Sequence, residues 1–490
     1  MARRGGILGW LRSVAPWLAG RGAAVTAARA YDAAGRGRGT EGWMAAGTSA
    51  DAEVAAAGSA LRDRMRDLVR NDPLAAKAVQ VLVSNIVGTG IRPRAAGPDA
   101  AVNRAADEVW KRWAEKADAD GHTDFHGLTA LAVREMIEGG EVLARRLRRR
   151  PSDRLPVPVQ VQLLEADHLD GSRTELRGDG SRIVQGIEYD GAGRRRAYWI
   201  HPEHPGDAAG LGRGLRDSQR VEAAQIAHLF ERQRVQNRGV PWGVPAIRAL
   251  RDLGDWQVAE LKRKKIEASV VGFVFGADEE QSSIAPAVLD ADGNRVEQFE
   301  PGLIAYVRHG KDVKFNSPGS TAGIYEWNRV QQHIIAAGFR VPYELLTGDL
   351  SQVNFSSGRM GLNEFRRMIE AVQWHTVIPQ FCAPVWRWVM EAAWTAGLVP
   401  DPDIPAEWGP PRFESVNPLQ DVTADILEVR AGFSTLAQQI ARRGYDPVEV
   451  LREWQAQASE LDAAGLVFDS DPRRVTKAGL VQPEAGTVAE

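Results

Sequence analysis

The sequence lacks the groups on which several large classes of protein depend. Cys382 is the only cysteine among 490 residues, which excludes a disulfide within the chain and a metal cluster held by several thiolates. No apolar run approaches the roughly 18 residues that a membrane span requires. These two absences indicate a protein that folds in a reducing compartment and does not enter a membrane.

Motifs for catalysis are also missing. The patterns GxxxxGK[ST], HExxH and GxSxG do not occur, so a P-loop ATPase, a zinc protease of that type and a nucleophile elbow are not expected. The acidic pairs Glu138 with Glu141 and Glu344 with Asp349 have the pattern of ordinary surface charges. The sequence therefore predicts neither an enzyme nor a cofactor.

A group near residue 124 leaves one alternative open. His122, Asp124 and His126 suggest a metal site, but their spacing matches no helical ligand motif, and a capped helix start is the favoured interpretation. With Glu138 they would form the centre of a metal-dependent nucleic-acid-processing enzyme, which is the alternative function.

Charge is nearly balanced overall and uneven along the chain. The formal net charge is -3, which gives no general attraction to nucleic acid, so any such contact must come from local patches. Residues 1–50 hold seven Arg against Asp32 and Glu41, whereas the chain from Pro400 onward holds sixteen acidic against eight basic residues. Residues 1–55 are rich in Ala, Gly and Arg and predict an extended arm without a cleaved signal, because Arg12 interrupts the first apolar run.

The first half of the chain has the pattern of an α+β domain. Helical spacing runs from Leu61, breaks at residues 71–73, resumes to residue 86 and returns over residues 103–118 and 128–137. From Val157 onward short apolar alternations predict strands, with a hairpin at residues 189–194.

A long helix and a strand-rich insert follow. The helix after Pro245 is about 25 residues long and apolar on several sides, which requires several neighbours. The helix carries a continuous basic turn, Lys262, Arg263, Lys264 and Lys265. Two interpretations of this turn are equally open: a face in contact with solvent only, or a contact with nucleic acid. Residues 270–317 predict a second group of strands, and the helix after Thr376 is expected to break at Pro379 and Pro384. Past Pro400 two helices are expected, divided at residues 444–447.

Residues 324–394 have the pattern of a helix, a polar loop and a second helix, and we interpret this stretch as the functional centre of the chain. An apolar-striped helix ends before Pro342, the aperiodic segment TGDLSQVNFSSG follows, and a second striped helix begins with Ser356 or Ser357 as its expected N-cap. The second helix carries a polar ridge expected opposite its buried face: Arg359, Asn363, Arg366 and Glu370. A polar loop that leads into such a ridge is typical of a surface presented to a partner.

Three ordered segments resemble the signature segments of lambda-type bacteriophage portal proteins. They are RDLVRNDPLAAKAVQVLVSNIVGTGIRP, GVPWGVPAIRALRDL and VPYELLTGDLSQVNFSSGRMGLNEFRRM with VIPQF after it. The similarity extends from about residue 30 to about residue 400 and is weak beyond.

The resemblance implies an α+β portal fold with long stem and tunnel helices, assembled as a ring of twelve identical subunits at one vertex of the phage head. The implied divisions are an N-terminal arm (1–55), a wing (56–240), a first stem helix (241–273), a clip (274–317), a second stem helix (318–341), the tunnel loop, tunnel helix and wing closure (342–399), and a crown with a tail (400–490).

The resemblance also implies the partners and the contact residues. Double-stranded DNA would pass without sequence preference, pushed by a terminase, while the major capsid protein, the scaffold protein and head–tail adaptors bind outside. The protein would reside in the virion, and in the host cytoplasm during assembly. A head–tail adaptor ring without a packaging role is a further alternative. The implied tunnel loop is Asp349, Leu350, Ser351, Gln352, Val353, Asn354, Phe355 and Ser356, and the tunnel helix presents Arg359, Asn363 and Arg366.

Overall fold

The computed structural model describes residues 41–42, 45, 47–210, 217–268, 272–276, 304–308, 313–315, 323–411, 413, 417–443, 445, 447–468 and 471. The chain divides into a short unit, Met1–Ala52, and a large unit, Glu53–Glu490. Most of the predicted arm, most of the strand-rich insert and almost all of the chain after Asp469 lie outside the described residues.

Helices and strands alternate in the first part of the chain, as the α+β pattern predicts. The expected break at residues 71–73 is confirmed, because Asp72 caps the second helix by accepting hydrogen bonds from the backbone N–H groups of Leu74 and Ala75. The elements are α1 (Ala50–Asn71), α2 (Pro73–Ile86), β1 (Arg92–Ala95), α3 (Ala100–Ala114), α4 (Phe125–Glu138), β2 (Glu141–Arg148), β3 (Val159–Glu165), β4 (Glu175–Leu176), β5 (Arg182–Val184), β6 (Ile187–Tyr189), β7 (Arg195–Ile200), α5 (Pro205–Gly210), β8 (Gln219–Glu222) and β9 (Ile226–Phe230).

Two antiparallel sheets organise this part. One has the order β3-β2-β9, and the other has the order β4-β5-β6-β7-β8. The predicted hairpin at residues 189–194 is confirmed by the antiparallel pairing of β6 with β7. A small apolar cluster that includes Leu143 and Tyr198 spans strands of both sheets, whereas the main core joins β2, β3 and β9 to the helices. The aromatic centre of that core holds Trp110, Trp113 and Phe125.

Two long helices flank three short strands in the middle of the chain. The expected helix of about 25 residues is 22 residues long. The elements are α6 (Ile247–Ala268), β10 (Gly272–Gly276), β11 (Ile304–Arg308), β12 (Val313–Phe315) and α7 (Ile324–Phe339). The described part of the insert forms a sheet of order β11-β10-β12, in which β10 and β11 are parallel.

The long helical stretch from Phe355 to Thr395 differs from the expectation. After α8 (Tyr343–Thr347), α9 (Phe355–Val372) continues without interruption through a π-helical segment, Gln373–Cys382, into α10 (Ala383–Thr395). The predicted break at Pro379 and Pro384 is wrong. The wider turns of a π-helix accommodate the ring of Pro379, which lacks an N–H donor and would clash with a carbonyl one α-turn earlier.

The C-terminal region contains one short strand and three helices. Strand β13 (Ala406–Gly409) pairs antiparallel with β1. The predicted division at residues 444–447 is confirmed, because one helix ends at Arg442 and the next begins at Pro447. The first of the two expected helices is itself divided, because the chain also turns at residues 431–435, where Gly432 has a positive φ of 74°. The helices are α11 (Pro418–Arg430), α12 (Leu436–Arg442) and α13 (Pro447–Ala464). Within the described part of the chain, no helix is both long and apolar enough to cross a membrane.

Candidate functional site: a polar loop between two helices

The loop between α8 and α9, residues 348–354, is called the polar loop. It begins where α8 ends at Gly348, whose positive φ of 74° suits glycine because it has no side chain. Gly348 N–H donates to the carbonyl of Glu344, which completes the last turn of α8. The chain therefore leaves the helix in a defined direction.

Asp349 fixes the first half of the polar loop. Its carboxylate accepts hydrogen bonds from the Tyr343 hydroxyl (3.0 Å) and from the backbone N–H of Ser351 (3.0 Å), while its own N–H donates to Thr347 Oγ1 (3.1 Å). The bonds from Ser351, followed by the bond from Tyr343, lower the pKa of Asp349 to about 2. A carboxylate predicted as an ordinary surface charge thus has a local structural role.

A capping box fixes the second half. Asn354 Oδ1 accepts from the backbone N–H of Ser357 (2.8 Å), and Asn354 N–H donates to Ser357 Oγ (3.3 Å). Asn354 is therefore the N-cap, and the predicted N-cap at Ser356 or Ser357 is wrong. Phe355 and Ser356, which the sequence assigned to the loop, belong to the first turn of α9.

The middle of the polar loop is exposed and carries no charge. Leu350 is 67% exposed, and Ser351 and Gln352 are also exposed, whereas Val353 is half-buried. A Cβ on Gly358 would lie 2.8 Å from Val353 Cγ1, so Val353 packs on a position of α9 that needs glycine. The loop thus presents hydroxyl, amide and apolar groups on a base that is held at both ends.

The predicted polar ridge of α9 is exposed only in part. Asn363 and Glu370 are exposed, as expected. Arg359 and Arg366 are only half-exposed. Arg359 Nη2 lies 3.1 Å from Asp421 Oδ1, and the Arg366 guanidinium lies 5.3 Å from the centre of the Phe413 ring. The exposed cation of this helix is Arg367, which the sequence analysis did not select.

The basic turn of α6 is mostly at the surface. Lys262, Lys264 and Lys265 are exposed, whereas Arg263 is half-buried and donates from Nε to Glu260 Oε2 at 2.8 Å. The run therefore contains one arginine held on its own helix and three lysines directed to the surface.

The residues of the proposed metal enzyme do not come together. Asp124 is the N-cap of α4 and accepts from the Gly127 N–H, and His126 lies in the first turn against Gly90, where burial lowers its pKa. Glu138 ends the same helix twelve residues later, about 18 Å away at 1.5 Å per residue. This geometry supports the capped helix start rather than a shared metal site.

A different group has metal-binding residue types but is already compensated. Among the residues that the structure describes, Glu165, Asp167 and His204 form the one group of this kind whose ligand atoms all lie within 4.8 Å of each other. Arg66 Nη2 lies 2.6 Å from Glu165 Oε2, and Arg66 Nη1 lies 2.8 Å from Asp167 Oδ2. His204 Nδ1 accepts from the Gly206 N–H, so in the neutral ring Nε2 carries the proton and is not a metal ligand.

A buried charge network was missed by the sequence analysis. Glu141, expected at the surface, is 1% exposed. Its carboxylate contacts Arg238 Nε (2.7 Å), His228 Nε2 (2.9 Å) and the Gly239 N–H (2.9 Å). Burial alone would raise the pKa of Glu141, but the charge of Arg238 and the hydrogen bond with His228 hold it well below its usual range. This network connects β2, β9 and the chain that leads to α6.

Comparisons with known proteins agree with the resemblance seen in the sequence. A family model described as phage portal protein, lambda family, matches residues 36–373. A probable portal protein of Halomonas phage phiHAP-1 is 25% identical over 450 residues, which cover 86% of this chain and 82% of that protein. The portal protein of Escherichia phage N15 is 24% identical over 493 residues, which cover 89% and 91%. Among solved structures, the neck of an empty gene transfer agent particle matches with a TM-score of 0.43 and 16% identity, over 79% of this chain and 94% of that chain.

Proposed function

Because the chain belongs to the lambda family of phage portal proteins, we propose that it assembles into a closed ring of identical subunits through which DNA enters and leaves a phage head. Twelve subunits are the number that the family resemblance implies. In this function the protein is a structural conduit at one capsid vertex, and it performs no chemistry of its own.

Exposed apolar side chains on the two long helices support ring assembly. Trp256 of α6 and Trp327 of α7 meet edge to face with ring centres 5.8 Å apart, so the two helices pack together. Beyond this pair, Leu261, Val330 and Ile334 are 56%, 55% and 48% exposed in the single chain. A head-to-tail contact that closes into a ring buries two different faces of each subunit, and such a contact would cover these side chains.

The polar loop supports the conduit function and is the observation that carries it. DNA presents about one negative charge per 1.7 Å of its axis, so a strongly basic lining would retain it. Residues 350–354 carry no charge, and their base is held by Asp349 and by the Asn354 capping box. A loop of this kind can contact passing phosphates and release them.

The strands after α6 are the proposed binding site for the packaging motor. Residues 274–317 correspond to the clip in the family resemblance, and their described part forms the β11-β10-β12 sheet between the two long helices. We assign the terminase, and later the head–tail adaptors, to this region. The major capsid and scaffold proteins are assigned to the outside of the ring.

Electron microscopy of the purified full-length protein tests the ring directly. Closed rings with a central hole are expected, and a protein that remains monomeric at high concentration with the scaffold protein present would contradict the proposal. Pull-down of the terminase by the intact ring, compared with a ring in which residues 277–303 are replaced by a short Gly/Ser linker, tests the clip assignment. Equal terminase binding by both rings would refute it.

A further inference from the structure

The two half-exposed arginines of α9 lie on the side of the helix that contacts the C-terminal region. On a helix of 3.6 residues per turn, Arg359 and Arg366 are separated by two turns and lie on one side of the helix. Arg367 lies one step, about 100°, further round and is exposed. The side of Arg359 and Arg366 faces the C-terminal region.

The C-terminal chain crosses α9 on that side. After β13 has paired with β1, the side chain of Pro411 packs on Gly88, where an added Cβ would lie 3.1 Å from Pro411 Cγ. The ring of Phe413 packs against the main core beneath the Arg366 guanidinium. The first turn of α11 then brings Asp421 to Arg359.

Among the residues that the structure describes, the C-terminal helices, α11–α13, bury few side chains. Neither α11 nor α13 contains a buried residue. Asp421 lies in the first turn of α11, where a carboxylate is also favoured by the helix dipole. The contacts with Arg359 and Arg366 are therefore placed where the C-terminal helices begin.

We propose that Arg359 and Arg366 are positioning residues that hold the start of the C-terminal helices on α9, and that neither guanidinium contacts DNA phosphate. This inference rests on the proposed function only in taking the polar loop, at the N-terminus of α9, as the DNA-facing element. Of the three arginines of α9, Arg367 is the one that we assign to a contact with DNA phosphate.

Hydrogen exchange measured by mass spectrometry on the full-length protein tests the Arg359 contact. Arg359→Glu should increase exchange in residues 417–430 by about 2- to 5-fold, the range expected from loss of a partly exposed ion pair. The double variant Arg359→Glu/Asp421→Arg should return exchange most of the way to the wild-type rate. Arg367→Glu is the matched control and should leave these residues unchanged.

The Arg366 contact is tested by a substitution that keeps the charge. Arg366→Lys retains a cation but loses the planar group that stacks on Phe413, so exchange in residues 417–430 should increase. A phosphate contact would tolerate this change. The salt dependence of DNA binding by the ring should be unaltered in Arg359→Ala, because a lost phosphate contact would lower the slope of log K against log salt by about one.

Two results would overturn the inference. Unchanged exchange in both Arg359→Glu and Arg366→Lys would show that the contacts do not hold the C-terminal helices. A reduced salt slope in Arg359→Ala would show that this arginine contacts phosphate. Failure of the wild-type ring to bind or package DNA would instead contradict the proposed function and leave the exchange result standing.

Discussion

The hydroxyl of Tyr343 donates a 3.0 Å hydrogen bond to Oδ2 of Asp349, six residues later and across the end of α8. This bond joins the buried tyrosine of a short helix to the first carboxylate of the polar loop. Because Asp349 also accepts from the Ser351 N–H, the direction in which the loop leaves α8 depends on this carboxylate.

Removal of the tyrosine hydroxyl should loosen the polar loop. Tyr343→Phe deletes one of the donors to Asp349, so the pKa of Asp349 should rise from about 2 towards its ordinary value and the amides of residues 350–353 should exchange faster. Hydrogen exchange at pH 7 measures the effect. Tyr445→Phe, at a side chain that is 65% exposed, is the control. Equal loop exchange in wild type and Tyr343→Phe would contradict the role given to this bond.

Substitution of the N-cap should separate its structural role from its effect on charge. Asn354→Ala should destabilise the start of α9 by about 1 kcal/mol, because one backbone donor loses its acceptor. Asn354→Ser and Asn354→Asp both keep a capping oxygen, but only the aspartate adds a negative charge beside passing phosphates. Packaged DNA length per particle should be near normal for serine and reduced for aspartate. Equal packaging by both variants would argue against a loop that faces DNA.

A charge placed on the exposed face of α7 should prevent ring formation. Ile334→Asp and Val330→Asp put a carboxylate where the proposed contact between subunits would remove it from water, and an unpaired buried charge is unfavourable. Analytical ultracentrifugation should show folded monomers with unchanged circular dichroism. Val235→Asp, at a site in the loop after β9 that is 87% exposed, should still form rings. Normal rings from both α7 variants would refute this interface.

Mild acid should destabilise the subunit through His228. Burial lowers the pKa of His228, although its hydrogen bond with Glu141 opposes that effect, so the folded protein holds the imidazole neutral. Because the unfolded chain then binds more protons, the stabilisation is complete above the ordinary histidine value near 6.5 and declines as the pH falls below it. We expect His228 to contribute a loss of roughly 1 to 2 kcal/mol between pH 7 and pH 5, measured by denaturant unfolding as the difference between wild type and a variant without this imidazole.

His228→Gln supplies the comparison, since glutamine can still donate a hydrogen bond to Glu141 and does not titrate. This variant should lose less stability than wild type between pH 7 and pH 5, because the raised pKa of Glu135, about 7, and the lowered pKa of His126 act equally in both proteins. A pH dependence equal to that of wild type would assign the effect to another group. Asp349 does not contribute in this window, because its stabilisation is lost only as the pH falls from about 4 towards 2.

Local signals predicted much of the fold. The Asp72–Pro73 helix start, the α+β pattern and the hairpin after Tyr189 all follow from residues that are close in sequence. The polar loop was also located correctly as an aperiodic segment between two helices. Its N-cap was not, because Asn354, Ser356 and Ser357 all have capping side chains and only the backbone conformation selects among them.

Long-range contacts account for the remaining errors. Glu141 is buried because Arg238, 97 residues later, compensates its charge, and no local pattern reveals such a partner. Arg359 similarly meets Asp421 from 62 residues away, so periodicity alone placed it opposite the core. Pro379 lies in a π-helical segment, whereas the rule that proline ends a helix predicted a break there.

A cross-linking experiment tests most directly whether the polar loop faces DNA inside a ring. Cys382 is buried, and burial raises the pKa of its thiol, so Ser351→Cys provides a single reactive position for a photoactivated cross-linker. In DNA-filled particles, illumination should join the portal to DNA at residue 351, and Val235→Cys should give no such product. Cross-linking at residue 235 but not at residue 351 would contradict the account.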